Sequence, residues 1–459
     1  MKTFTKLAID DPENLVFGRC THPITLRNGL IIGGGTVYPE LNFTLPGMEI
    51  DAGTMPEVRR QYTEMIEDAC TRAVELQAPG LVVEFELLPP LTQVPEWGAE
   101  VTKILRDTLD RNAEAHGIKV ALRVTPNDVR EFERPPHMRT GQYTDAIFRS
   151  FELCARAGAD FLAIESTGGK ELHDDAILRC DLPLSIFSMG ILGSRDMAFL
   201  WDRIVEIAGR TSCIPAGDSA CGFGNTAMVL AERRYIPRLF AALIRVMSVA
   251  RSLVAFERGA IGPNKDCAYE GVFIKAITGY PVSLEGAEAA CAHLSPIGNI
   301  AKAYADLWSN ESVQNVKLLG GMAPTVSVEQ LVYAARLMNV ASARGSANTL
   351  RNWFVESDAH FDPQAFVFRP EVVIKLASEI VKEPTPYLRT RCAAAATLAV
   401  LKKASDEKQV AVPENELAWF DSLSAQVDSL PRDEDEFIAG MMDQIDTSLV
   451  RLEEYGIQP

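Results

Sequence analysis

The 459-residue chain has 47% hydrophobic and 23% charged residues, a balance that suits a globular protein with one large domain plus an addition and excludes a disordered chain. Its formal net charge of -17 excludes a nucleic-acid or anionic-membrane surface as the main partner, because such partners are held by Lys and Arg that neutralise phosphate. A small neutral substrate or a protein partner suits it better.

No apolar run reaches the roughly 20 residues needed to span a bilayer. Acidic residues interrupt the N-terminal stretch where a signal peptide would be apolar, so a cytoplasmic setting is expected. Nine cysteines, odd in number and without dense spacing, fit a reducing compartment in which thiolates are free to bind metal.

Taken in order, the chain alternates short apolar runs with longer amphipathic ones. Residues 30–35, 81–86, 119–124, 161–166, 183–190, 211–218, 252–260 and 281–286 read as strands. Between them, 56–76, 97–116, 143–157, 196–208 and 226–247, with a further stretch ending near 277, have helical spacing. About eight strands alternating with helices over about 260 residues predict an α/β fold, a (β/α)8 TIM barrel, with a doubly wound open sheet as the structural rival. From about 300 the strand signal fades, and 326–338, 370–381, 387–401, 415–427 and 433–452 read as helices. The expected division is a TIM-barrel catalytic domain over 1–299 and a C-terminal helical subdomain over 300–459.

In such a barrel, strand ends from distant parts of the chain converge on one face. Three strand-like runs are followed there by metal-ligand residue types: Glu165 in LAIESTGG, Cys221 in IPAGDSACG and Cys267 in VAFERGAIGPNKDC. One carboxylate and two thiolates would give a zinc ion three protein ligands and leave one position open, as a catalytic site needs. The spacing is no CxxC knuckle, and a free cysteine is as often a small buried apolar residue. For Glu165 the alternative is a rim salt bridge to Lys170 or a neighbouring Arg. Asp218 and Asp266 stand beside these positions, able to orient ligands or handle a proton. Glu84 and Glu86 alternate onto one face of their strand. If that face is the barrel interior they reach the site, the alternative being an ion pair with Arg123. Cys291 with His293 is a competing ligand pair, while Gly33 to Gly35 lack the GxGxxG pattern of a dinucleotide site.

The stretches ALRVTPNDVRE, ESTGGKE, LGSRDM, AGDSACGFGNTAM, RSLVAFERGAIGPNKDCAYE, KAITGYPVSLEG and WSNESV together resemble the zinc-containing subunit of methanol:corrinoid methyltransferases over nearly the whole length. The resemblance implies a TIM barrel with added helices that dimerises and docks a separate corrinoid protein. It further implies Zn²⁺ held by Glu165, Cys221 and Cys267, and a methyl group passed from methanol to cobalt(I) of the partner's corrinoid (cobamide). The Asp-x-His-x-x-Gly signature of the corrinoid-carrying partner does not occur here, as expected of the substrate-activating half alone. Ala220 stands where the family has an acidic residue before the first zinc cysteine, and the stretch after Cys291 differs. These departures leave open another methyl donor, a methoxylated aromatic or other small methyl compound. A zinc hydrolase on the same barrel is the rival from another reaction class, though six His in all, none at these strand ends, give it little to work with.

Overall fold

Successive residues of a strand face opposite sides, so each strand of a barrel buries one set of side chains against outer helices and sends the other to the barrel axis. The chain follows this rule in a computed structural model, which describes residues 2–45, 47–266, 270–285, 295–313, 317–318 and 321–458. An antiparallel hairpin of β1 (Arg19–Thr25) and β2 (Ile31–Gly34) comes first. Eight barrel strands follow: β3 (Tyr38–Thr44), β4 (Leu81–Glu86), β5 (Val120–Thr125), β6 (Phe161–Ile164), β7 (Ile214–Asp218), β8 (Asn264–Asp266), β9 (Val282–Glu285) and β10 (Leu307–Val313). All of them pair in parallel in the order β7-β6-β5-β4-β3-β10-β9-β8. Closure between β7 and the approach to β8 is made by Ile261 N–H donating to Pro215 O at 2.9 Å and Gly262 N–H to Ala216 O at 2.8 Å. Among the described residues a helix follows each of the eight barrel strands before the next one begins, as the TIM barrel predicts.

The axis changes character along its length. At the N-terminal ends of the strands, Tyr38, Val82, Ala121, Phe161, Ala163, Ala216 and Leu307 form an apolar cluster with Ile24, Leu26, Leu30 and Ile32 of the hairpin, which plugs that end. Two residues further along, the inward set becomes polar: Glu40, Glu84, Arg123 and Ser309 are all fully buried. The C-terminal mouth is therefore the polar end.

Three of the predicted strands are something else or lie elsewhere. Residues 30–35 overlap β2, which belongs to the plug and not to the barrel sheet. The apolar run at 183–190 is helical, Leu182–Ile186 continuing into a π-helical turn at Phe187–Gly193. Asp181 caps it by accepting from Leu184 N–H at 3.0 Å, a start signal that the uniformly apolar stretch behind it hides. The run at 252–260 is mostly the end of helix Arg238–Arg258, nearly all of whose residues are buried, so no amphipathic stripe marks it. That helix is also long and apolar enough by composition to cross a membrane, but it lies wholly inside the fold.

Three barrel strands, β3, β8 and β10, were not among the predicted ones, because their inward residues are polar. YPELNFT of β3 is buried at every position yet carries Glu40, Asn42 and Thr44 on its inner face. Since β10 pairs with β3, the barrel sheet continues past residue 300, and the expected 299/300 boundary falls inside it. Helix Ala323–Ala343 then packs on these two strands as the last barrel helix. The remaining segments after 346 are helical, as expected.

Candidate functional site

Inward alternation on β4 sends Glu84 and Glu86 to the mouth, where they meet Lys265 of β8. Lys265 Nζ lies 3.0 Å from Glu285 Oε1, 3.1 Å from Glu165 Oε1, 3.7 Å from Glu86 Oε2 and 3.9 Å from Glu84 Oε2. One buried ammonium thus faces four carboxylates from three strand ends, those of β4, β6 and β9. Burial works against its charge, but Glu165, Glu84, Glu285 and Glu86 together hold its pKa well above the usual lysine range. Glu311 of β10 adds a fifth acid: Glu285 first, then burial, push its carboxyl up to about 8.

Burial likewise lifts Glu84 to about 8, with Lys265 and Arg123 opposing. Glu165 rises to about 7, also through burial with Lys265 opposing; 27% of its side chain still faces the mouth. Thr125 Oγ1 donates to Glu84 Oε1 at 2.7 Å, and Asn42 Nδ2 donates to Glu86 Oε2 at 3.0 Å. The alternatives from sequence go elsewhere. Arg123 pairs with Glu40 at 2.7 Å one layer below, and Lys170 pairs with Asp174.

Glu165 heads a loop fixed from several directions. Ser166 donates its N–H to Asp218 Oδ1 at 3.2 Å and its hydroxyl to Asp218 Oδ2 at 2.7 Å. Arg251 donates to Ser166 O at 2.7 Å and to Asp218 Oδ1 at 3.3 Å. Thr167 gives both N–H and hydroxyl to Asp128 Oδ2, at 2.8 and 3.0 Å. Asp128 is held by Arg130, which also pairs with Asp196, so the three stretches TPNDVRE, ESTGG and LGSRDM meet in one buried network. Gly169 N–H donates to the Tyr455 hydroxyl at 2.9 Å.

Asp218, a catalytic candidate from sequence, is therefore an anchor. The register of β6 and β7 slips between Leu162 and Ala163, so Asp218 pairs with Ile164 on the outward side, where Arg251 and Trp201 reach it from the helices. It is fully buried there and does not join the contacts around Lys265. Cys221, three residues past β7, is the first residue of helix Cys221–Glu232 and 1% exposed, with Ser219 Oγ 3.0 Å from its sulfur. A thiolate at a helix N-terminus is favoured by the dipole. Cys267, Cys291 and His293 lie outside the described residues, and of Asp266 only the backbone is described.

Glu165 and Cys221 follow adjacent strands, and Asp266 ends β8 on the far side of β7. A carboxylate and a thiol at neighbouring strand ends are the donor types that zinc takes, so the residues present fit that ion. Among the described residues no group of three His, Cys, Asp or Glu is poised to hold a metal, and the third donor would have to come from beyond them. Lys265, Glu285 and Glu311 were missed from sequence. The signal for them was a charged residue at an inward position of a buried strand, in strands too polar to be noticed.

Comparison with known proteins agrees with this layout. The family MtaB, methanol-cobalamin methyltransferase B subunit, matches residues 1–456. The methanol--corrinoid protein co-methyltransferase of Methanosarcina barkeri is 35% identical over 446 residues, which is 95% of either chain. The crystal structure of the methanol:cobalamin methyltransferase complex MtaBC from Methanosarcina barkeri superposes with a TM-score of 0.94 at 33% identity, covering 100% of both chains.

Proposed function

Because this chain belongs to the methanol-cobalamin methyltransferase B subunit family, we propose that it moves the methyl group of methanol to the cobalt(I) of a corrinoid carried by a separate protein, with zinc held by Glu165, Cys221 and Cys267. The observation that carries the reading is Glu165, locked at the mouth one strand from Cys221 inside the acidic cluster. In the reaction the methanol C–O bond breaks, a C–Co bond forms, cobalt(I) becomes cobalt(III), and the hydroxide leaves as water after gaining a proton. Zinc, when bound, supplies the Lewis acidity that makes hydroxide a better leaving group.

The chain's own residues do the rest. The hairpin plug shuts the far end, which leaves the C-terminal mouth as the side for substrate and partner to approach. Methanol offers little surface, and catalysis then rests on orientation in a narrow site. The Asp128–Arg130–Asp196 and Asp218–Arg251 pairs keep the Glu165 loop from shifting as charge redistributes. Glu84, whose carboxyl burial pushes up to about 8, is placed to hold at its Oε2 the proton that the departing hydroxide needs. Glu86 is pinned by Asn42 and shapes the field of the cluster.

Metal analysis tests the ligand set. Wild-type protein should carry stoichiometric zinc, and Glu165→Gln, Cys221→Ala and Cys267→Ala should each lose it. Full zinc content in all three variants would end the proposal.

A further inference from the structure

Glu270 comes three residues after Cys267, yet its carboxylate reaches the other cysteine loop. Its Oε1 accepts from the backbone N–H of Ala220 at 2.8 Å and from the Ser252 hydroxyl at 2.6 Å. All three residues are completely buried. Ala220 immediately precedes Cys221 and is the N-cap of its helix. Ala has no side-chain oxygen to accept from the first amides of that helix, so the loop is held from outside.

The neighbour of Ser252 on the same helix is Arg251, which grips Ser166 and Asp218. Two consecutive residues of helix Arg238–Arg258 thus reach both loops: Arg251 fixes the one carrying Glu165, and Ser252 fixes Glu270, which fixes the one carrying Cys221. From this geometry we infer that Glu270 is a positioning residue for Cys221, the strap that ties the Cys221 loop to the chain segment carrying Cys267. The inference deepens the zinc reading and, for its metal readout, rests on it.

Glu270 touches neither substrate nor metal in this account. It acts through the Ala220 amide, so what it controls is where the Cys221 sulfur sits and how long it stays there. Gln keeps an oxygen that accepts from Ala220 N–H and Ser252, whereas Ala removes it.

Two measurements on purified full-length protein test this. The first is zinc affinity by competition with a chromophoric chelator. Glu270→Ala should bind zinc about 10- to 100-fold more weakly than wild type, the usual cost of losing a partner that orients a ligand. Glu270→Gln should stay within a few-fold of wild type. The second is alkylation of Cys221 by iodoacetamide after chelator treatment, located by mass spectrometry. Cys221 is 1% exposed, so wild type should react slowly, and Glu270→Ala several-fold faster. Ser252→Ala, a milder change, should shift both readouts in the same direction, and covers the case in which Glu270→Ala does not fold.

Wild-type affinity and wild-type alkylation in every Glu270 and Ser252 variant would overturn the inference, even if thermal stability falls. If wild-type protein itself binds no zinc, the zinc reading fails; the alkylation result then decides the role of Glu270 alone.

Discussion

Lys265 shows how strongly one side chain can govern the mouth of this barrel. Four carboxylates within 4 Å of its ammonium, in surroundings where water screens little, repel one another once that charge is removed. Breaking a buried pair from one side costs about 3–5 kcal/mol. Lys265→Met should therefore lower stability by about that amount in urea denaturation of chelator-treated protein. An unchanged midpoint would mean that the carboxylates do not depend on it. Glu84 and Glu86 were legible from sequence, because a charge at alternate positions of an apolar strand must face something other than a core. Lys265 was not. It sits in NKD, a three-residue strand with no apolar residue, and nothing in the sequence alone says that it meets charges from residues 84 to 285. The sequence placed Asp218 at the site for its position in the chain. The register slip on β7, which no local pattern announces, aims it outward and makes it the anchor of Ser166.

At the level of elements, the loop after β6 depends on a glycine. Gly169 has φ +84, and a Cβ there would stand 2.7 Å from Ser188 O and 2.9 Å from Leu192 Cβ. A left-handed backbone costs an ordinary residue about 1–2 kcal/mol, and overpacking adds about 1–3 kcal/mol. Gly169→Ala should lose both and slow methyl transfer by displacing Glu165. Gly117→Ala, at φ +69 with nothing within 4 Å, should show only the backbone cost and keep full activity. Equal losses in urea denaturation of the two variants would show that the tight approach at Gly169 does not matter. Element reading from sequence succeeded where a strand opens on an unbroken apolar run, as LVV in β4, VAL in β5 and FLAI in β6, and failed in two opposite ways. Polar inward residues concealed β3, β8 and β10. Helices buried on every side, at 183–190 and 252–260, looked like strands because an all-apolar run carries no period.

Across the whole molecule, the C-terminal end returns to the mouth. Glu454 accepts from Arg139 N–H at 2.6 Å and from Thr140 Oγ1 at 3.1 Å, and the Tyr455 hydroxyl holds Gly169. The late helical region is thus bound into the site's support. The sequence, read as a barrel over 1–299 and helices over 300–459, could not show this return, nor that β10 completes the sheet after residue 300. The alternation of strands and helices was enough for the fold class, and the motif stretches were enough for the family. Their physical role, a buried ionic network beneath the Glu165 loop, needed the structure. The central claim is that Glu165 and Cys221 at this mouth activate methanol for attack by cobalt(I). The most direct test follows conversion of cobalt(I) to methylcobalt(III) on the corrinoid protein, with methanol as the sole methyl donor. Wild type should methylate the cobalt, and Glu165→Gln and Cys221→Ala should lose more than the roughly 10- to 100-fold cost of an outer-shell change. Undiminished methylation in both variants, or none in wild type with methanol where a methoxylated aromatic succeeds, would contradict the account.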